Sequence, residues 1–170
     1  RRQRQMCIRD SIFHNTPIEK TTENSWNRVI NTNLKSVFFL IKSLLPLLRR
    51  SKGKSIVLLS SILASFGAPN VSLYSASKSG ILGLAKSLSI ELAEDNIRIN
   101  CISPSYVNTT MIRSLLENKK NRYELKSKHP IGRIGSPKDI SNMVLFLLSE
   151  YSGWITGQNF AVDGGRSAKI

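Results

Sequence analysis

Tyr74 and Lys78 stand four residues apart in the run Tyr-Ser-Ala-Ser-Lys-Ser-Gly at positions 74–80. On a helix that spacing puts both side chains on one face. The residues between and just after them are small, and several are poor helix formers. A phenol with a pKa of about 10 must lose about three units, or about 4 kcal/mol, to work as an acid or base near neutrality. An ammonium about 6 Å away, at an effective dielectric of about 20, supplies about 3 kcal/mol of that. The pair is chemically competent, yet unspecific by itself, because most such pairs are surface neighbours.

Two further polar positions stand where a core argument would not put them. Asn33 falls in step with Trp26, Val29, Ile30 and Val37 on one helical stripe. A buried amide is costly unless it is hydrogen-bonded. Ser60 and Ser61 close the apolar run 56–59, at the carboxyl end of an expected strand, where open α/β sheets place their ligands. On these residues alone the plainer readings stay open: Asn33 bonding nearby backbone, and the serines capping a strand end.

The elements that must hold these groups follow from hydrophobic periodicity. Residues 25 to about 50 read as one helix, with Leu40, Ile41 and Leu44 continuing the stripe and Pro46 expected to kink or end it late. The run 56–59 is apolar on both faces and suits a parallel strand covered on both sides. A second long helix spans about 73–94, with Ile81, Leu84, Ala85, Leu88 and Leu92 as its stripe. Residues 97–103 read as a strand stopped by Pro104. A polar, lysine-rich stretch holds a short helix near 111–120. Pro137 opens a helix running to about residue 150, and 159–162 form a last strand. Helices alternating with strands predict a parallel sheet with helical crossovers. Three strands are few for such a sheet, and the sequence contains neither a Gly-x-Gly-x-x-Gly loop nor a P-loop.

The bulk properties narrow the partners. The chain has 170 residues, 41% of them hydrophobic, enough for one domain with a core. It carries 25 Lys and Arg against 11 Asp and Glu, a net charge of +14. The cations are scattered, and the densest group, at 49–54, falls in a loop between helix and strand. That distribution favours a solvated surface over a nucleic-acid stripe. Cys7 and Cys101 are far apart, and His14 and His129 stand alone, so neither a disulfide framework nor a metal site is expected, and a reducing cytoplasm is the default. No apolar run approaches the length of a membrane span, so no membrane partner is expected.

Residues 1–11, Arg-Arg-Gln-Arg-Gln-Met-Cys-Ile-Arg-Asp-Ser, show no periodicity and resemble a translated sequencing adapter. They are expected to be a non-native or disordered segment, with residues 12–170 forming the C-terminal part of a single domain.

Taken together, these motifs resemble the short-chain dehydrogenase/reductase family over residues 12 to 167. The run at 74–80 is similar to that family's Tyr-x-x-x-Lys motif. Val-Leu-Leu-Ser-Ser at 57–61 is similar to its strand-end serine motif, and Ser61, thirteen residues before Tyr74, fits the family spacing better than Ser60. The segment around Asn33 resembles the one carrying the family's catalytic asparagine. Residues 100–111 resemble the segment beside the nicotinamide, with Ser105 where the family usually has glycine. Members of bacterial type, 3-oxoacyl-acyl-carrier-protein reductases and sugar or alcohol dehydrogenases, are the most similar.

The resemblance implies a partial Rossmann-like, doubly wound parallel sheet in three α/β/α layers, lacking its N-terminal strands. It implies an NAD(P)-dependent oxidoreductase that passes a hydride between NAD or NADP and a small carbonyl or secondary alcohol. Tyr74 would be the acid/base. Lys78 would lower its pKa and hold the ribose, Ser61 would polarise the substrate oxygen, and Asn33 would anchor a proton-relay water. Pro104, Val107 and Thr109 would touch the cofactor beside Tyr74 and Lys78. The family's glycine-rich loop has no counterpart here, so the chain reads as an N-terminally truncated enzyme, weakly active or inactive alone. The parent is expected to be a homo-oligomer, a tetramer or dimer. The rival reading is a basic, non-enzymatic protein holding nucleic acid or an anionic surface.

Overall fold

Thr22 sets the start of the first helix. Its hydroxyl accepts the Ser25 N–H at 3.2 Å while the Ser25 hydroxyl accepts the Thr22 N–H at 3.1 Å, a reciprocal cap. The structure is a computed structural model that describes residues 11–169. The expectation for residues 1–11 therefore lies, Ser11 apart, outside the described residues.

Helix α1 (Glu23–Ile30) runs through a π-helical turn (Asn31–Lys35) into α2 (Ser36–Arg50). The expected single helix is thus a continuous rod with one widened turn, and Asn33 lies in that turn. Pro46 sits inside α2 and does not end it. Pro46 and Lys42, whose carbonyl loses its usual partner, are both exposed, so that carbonyl can be hydrated.

The chain continues through β1 (Ser55–Leu59), α3 (Ser72–Glu91), β2 (Arg98–Pro104), α4 (Arg113–Glu117), α5 (Lys119–Ser127), α6 (Pro137–Leu148) and β3 (Asn159–Val162). The helix expected near 111–120 is two short helices. Asn118 breaks it by accepting the Lys120 and Asn121 N–H groups and capping α5. Ser136 caps α6, with Pro137 in its first turn.

The three strands form one parallel sheet in the order β1-β2-β3. Leu58 of β1 pairs with Cys101 of β2, and Cys101 pairs with Asn159 of β3. Alternation along β2 sends Ile99 and Cys101 to the face covered by α3, while α6 packs on the strands from the other side. The core joins Val37 and Ile41 of α2, Ile81, Ala85 and Leu88 of α3, and the inward residues of β1 and β2. Each large side chain buried this way contributes about 1.5–3 kcal/mol.

The α3 stripe is buried as its spacing predicts. Of the apolar residues in the α1–α2 stripe, Val29, Val37 and Ile41 are buried, while Trp26, Leu40 and Leu44 are at least 40% exposed. Strand β1 is an edge among the described residues, so Leu58 reaches the core while Leu59 stays 52% exposed. The expected cover on both faces of β1 is therefore incomplete.

Cys101 is a free, buried thiol in mid-sheet, its Sγ 3.8 Å from the Ile81 carbonyl oxygen. Burial pushes its pKa up to about 12, against the pull of the Lys78 charge. Among the described residues, no helix is long and apolar enough to cross a membrane and no group of acidic, His or Cys residues is placed to hold a metal.

Candidate active site

The carboxyl ends of β1 and β2 and the first turns of α3 meet around an open cavity of about 470 Å³. Ser61, Tyr74, Lys78, Pro104, Val107 and Thr109 all line it. Of the residues named from the sequence, only Asn33 is absent from its wall.

Each group is held by its element. Ser60 continues the strand ladder by donating its N–H to the Ile102 carbonyl at 2.8 Å. Its hydroxyl donates to the Lys78 carbonyl at 2.9 Å, which ties β1 to α3. Ser61 begins the next turn, accepting the Leu63 N–H at 3.2 Å, and hydrogen-bonds the Tyr74 hydroxyl. The preference for Ser61 thus has a structural reason: the neighbouring hydroxyl is committed to backbone.

Tyr74 is buried, with Phe13 packed edge-on at 5.0 Å between ring centroids. Burial pushes the phenol above its ordinary pKa, and the Ser61 hydrogen bond opposes this without reversing it. The expected lowering by Lys78 is not found. The Lys78 Nζ is 5.9 Å from the Tyr74 ring centroid and donates instead to the Leu59 carbonyl and the Ser11 hydroxyl, both at 3.0 Å. Desolvation of the phenol outweighs a charge that is directed at other oxygens.

Asn33 acts one layer behind the cavity. Its amide donates to the Ser77 hydroxyl at 3.1 Å and the Ile12 carbonyl at 3.0 Å, and its oxygen accepts the Ile12 N–H at 2.9 Å. Ser77 in turn donates to the Tyr74 carbonyl at 2.7 Å. The widened turn therefore joins the segment at Ile12 to the helix that carries Tyr74. Turns of this kind concentrate at functional sites.

A second set of groups was not found from the sequence. His129, 3% exposed, donates from Nδ1 to the Leu125 carbonyl at 2.7 Å. In the neutral ring its Nε2 then accepts from the Ser105 hydroxyl at 2.8 Å. Ser105 also accepts from Arg166 Nη1 at 3.1 Å. The serine that replaces the family's usual glycine is thus the hub of a network. Its departure from the pattern was the signal available; His129 looked isolated because its partners lie 24 and 4 residues away.

Asp163 closes this region. Burial pushes its carboxyl up, but hydrogen bonds from Ser167 and Gly165, with the His129 charge, leave it below the ordinary value.

The donor set fits the nicotinamide and ribose end of a dinucleotide. Hydroxyls at Ser61 and Tyr74 and the Lys78 amine converge beside apolar wall from Ile62, Pro104 and Val107, and no carboxylate lines the cavity among the described residues.

Comparison with known proteins identifies the family. A family model described as enoyl-(acyl carrier protein) reductase matches residues 7–167. The 3-oxoacyl-(acyl-carrier-protein) reductase of Chlamydia trachomatis is 41% identical over 154 residues, 91% of this chain and 61% of that protein. A tropinone reductase homolog of Arabidopsis thaliana is 41% identical over 151 residues, 89% of this chain and 47% of that protein. The solved structure of 4-hydroxyisoleucine dehydrogenase complexed with NADH matches with a TM-score of 0.89 at 31% identity, over 95% of this chain and 67% of that one. The chain spans about half to three fifths of the length of these curated relatives.

Proposed function

The chain belongs to the short-chain dehydrogenase/reductase family, and on that premise we propose that it serves an NAD(P)-dependent oxidoreductase that interconverts a carbonyl and a secondary alcohol. The observation that supports this most is the meeting of the Tyr74 phenol, the Ser61 hydroxyl and the Lys78 amine in one cavity at the strand ends.

In the reducing direction the Tyr74 hydroxyl gives its proton to the substrate oxygen as that oxygen gains charge. A raised pKa keeps this proton in place at neutral pH. Ser61 donates to the same oxygen and holds it beside Tyr74. Two placed donors stabilise an alkoxide as it forms, the electrostatic part of such a rate gain. Lys78, with Tyr74, Pro104, Val107 and Thr109, would hold the nicotinamide end of NAD or NADP. That group, when bound, supplies the hydride. Asn33 would keep the start of α3 in register through Ser77 and serve the proton relay behind it.

The described residues contain no glycine-rich phosphate loop, so dinucleotide affinity of this chain is expected to be weaker than micromolar, and turnover slow. Exposed Phe38, Phe39 and Leu47 on α2 favour association of copies along that helix. A free thiol in mid-sheet suits a reducing, cytoplasmic setting.

The test is carbonyl-dependent oxidation of NADH and NADPH at saturating cofactor, followed by the absorbance of the reduced nicotinamide. The expected result is slow turnover that Tyr74→Phe lowers by about 10² to 10⁴. No carbonyl-dependent oxidation with either cofactor, or equal rates in the variant, overturns the reading.

A further inference from the structure

Arg166 is the second cation in the wall of the cavity, and the carbonyl chemistry above does not use it. It follows Gly164 and Gly165, which have φ values of 63° and 83°. At Gly164 a Cβ would meet Ile131 at 2.7 Å, so the turn that presents the arginine depends on glycine there. The guanidinium carbon lies 4.7 Å from the Tyr106 ring centroid and 5.9 Å from that of Phe66. One N–H is held by Ser105, whose own hydroxyl is committed to His129. The planar group is therefore fixed by two rings and one hydrogen bond.

Among the described residues its charge has no acidic partner. The ion pairs among them are Arg49–Asp95 and Arg133–Asp139. The nearby Asp163 carboxylate is taken by the Gly165 and Ser167 N–H groups. A guanidinium carries five donors and keeps its charge at any working pH. Ordering it beside a cavity with no carboxylate in its wall makes a receptor for a planar oxyanion.

We propose that Arg166 is a specificity residue and that the substrate is an oxo acid or hydroxy acid, its carboxylate held by Arg166 while its carbonyl meets Ser61 and Tyr74. This rests on the reaction proposed above and adds the class of substrate. Ser105 and His129 are positioning residues that act through Arg166. A cofactor phosphate offers the same oxyanion chemistry, and the experiment separates the two.

Pyruvate, acetoacetate and levulinate place a carboxylate at three distances from a ketone, and each has a neutral methyl ester. Affinity of the chain for each acid and ester is measured by ligand-observed NMR, with and without saturating NAD. At least one acid should bind about tenfold to a hundredfold more tightly than its own ester, the range for charge-assisted hydrogen bonds. Arg166→Gln should bring that acid and its ester within about twofold, and Arg166→Lys should retain part of the preference.

No acid exceeding its ester by about tenfold, or a preference that survives Arg166→Gln, overturns the proposal. An equal weakening of ADP-ribose and acid by Arg166→Gln assigns the guanidinium to a cofactor phosphate and also overturns it. If Arg166→Gln does not fold, the wild-type comparison and Arg166→Lys decide, and an undiminished preference in the lysine variant counts against the proposal. Turnover of NADH with no acid preference removes the role of Arg166 and leaves the reaction standing. Acid-selective binding that depends on Arg166, without turnover, does the reverse.

Discussion

One wall of the cavity is built from regular elements: Ser61 follows β1, while Tyr74 and Lys78 lie one helical turn apart on α3. Another part of the wall is formed by Ser105 and Arg166, backed by His129 and Asp163, residues drawn from a strand end, a helix end and a glycine turn. Short-range geometry fixes the first wall, because helix pitch alone sets the Tyr74–Lys78 spacing. The second exists only after β2, α5 and the segment beyond β3 have docked. The reacting centre thus survives changes in the loops, and the recognition side is free to vary on the same frame.

If the two walls work separately, variants in one should leave the signature of the other. The largest effect is expected from Tyr74→Phe. It should cost about 10² to 10⁴ in turnover, or about 3 to 5 kcal/mol, while the preference for acid over ester persists in NMR titrations. Loss of that preference with the hydroxyl would show that the walls are coupled.

Asn33→Ala comes next. It strands the Ile12 N–H and C=O and removes the donor to the Ser77 hydroxyl, so urea denaturation should show about 1 to 3 kcal/mol of lost stability. Turnover should fall with it. Unchanged stability would mean that the widened turn does not brace α3.

Behind the second wall, Asp163 has a depressed native pKa, so its contribution is present above about pH 4 and is lost as pH falls through the native value. The urea midpoint should therefore drop on the acid side. Asp163→Asn should flatten that limb and leave the Tyr74-dependent rate profile in place. An acid limb of the same size in the variant would remove Asp163 from this role.

The smallest effect sharpens the first wall alone. Tyr74 is raised by burial, so its proton should leave only above about pH 10. Ser61→Ala removes the opposing hydrogen bond and should move that step higher still, read as the phenolate absorbance that Tyr74→Phe abolishes. A step below the ordinary tyrosine value would show that the Lys78 charge governs after all.

The sequence was informative where interactions are local. The α3 stripe, the strand at 159–162 and the Tyr74–Lys78 pair follow from period and spacing, while the grouping of Ser61 with that pair is what the family resemblance implies. It was silent where a choice depends on what lies alongside. Whether Leu40 and Leu44 face core or solvent depends on the partner surface, not on their hydrophobicity. The π-helical turn has no residue signature in Asn-Thr-Asn-Leu-Lys. The direction of the Tyr74 shift needed the depth of its burial and the aim of the Lys78 amine. His129 gave no sign of its partners, because Ser105 is 24 residues away and meets it only in the folded chain.

The sheltered thiol of Cys101 makes this chain its own stability gauge. At neutral pH almost none of it is thiolate, and the sheet covers it, so an alkylating reagent can reach it only when β2 separates from α3. In a Cys7→Ser background, the labelling rate at this single sulfur would count openings of the central strand directly. Any mutation in either wall could then be ranked by how often it lets the reagent in, without a denaturant and without knowing the substrate.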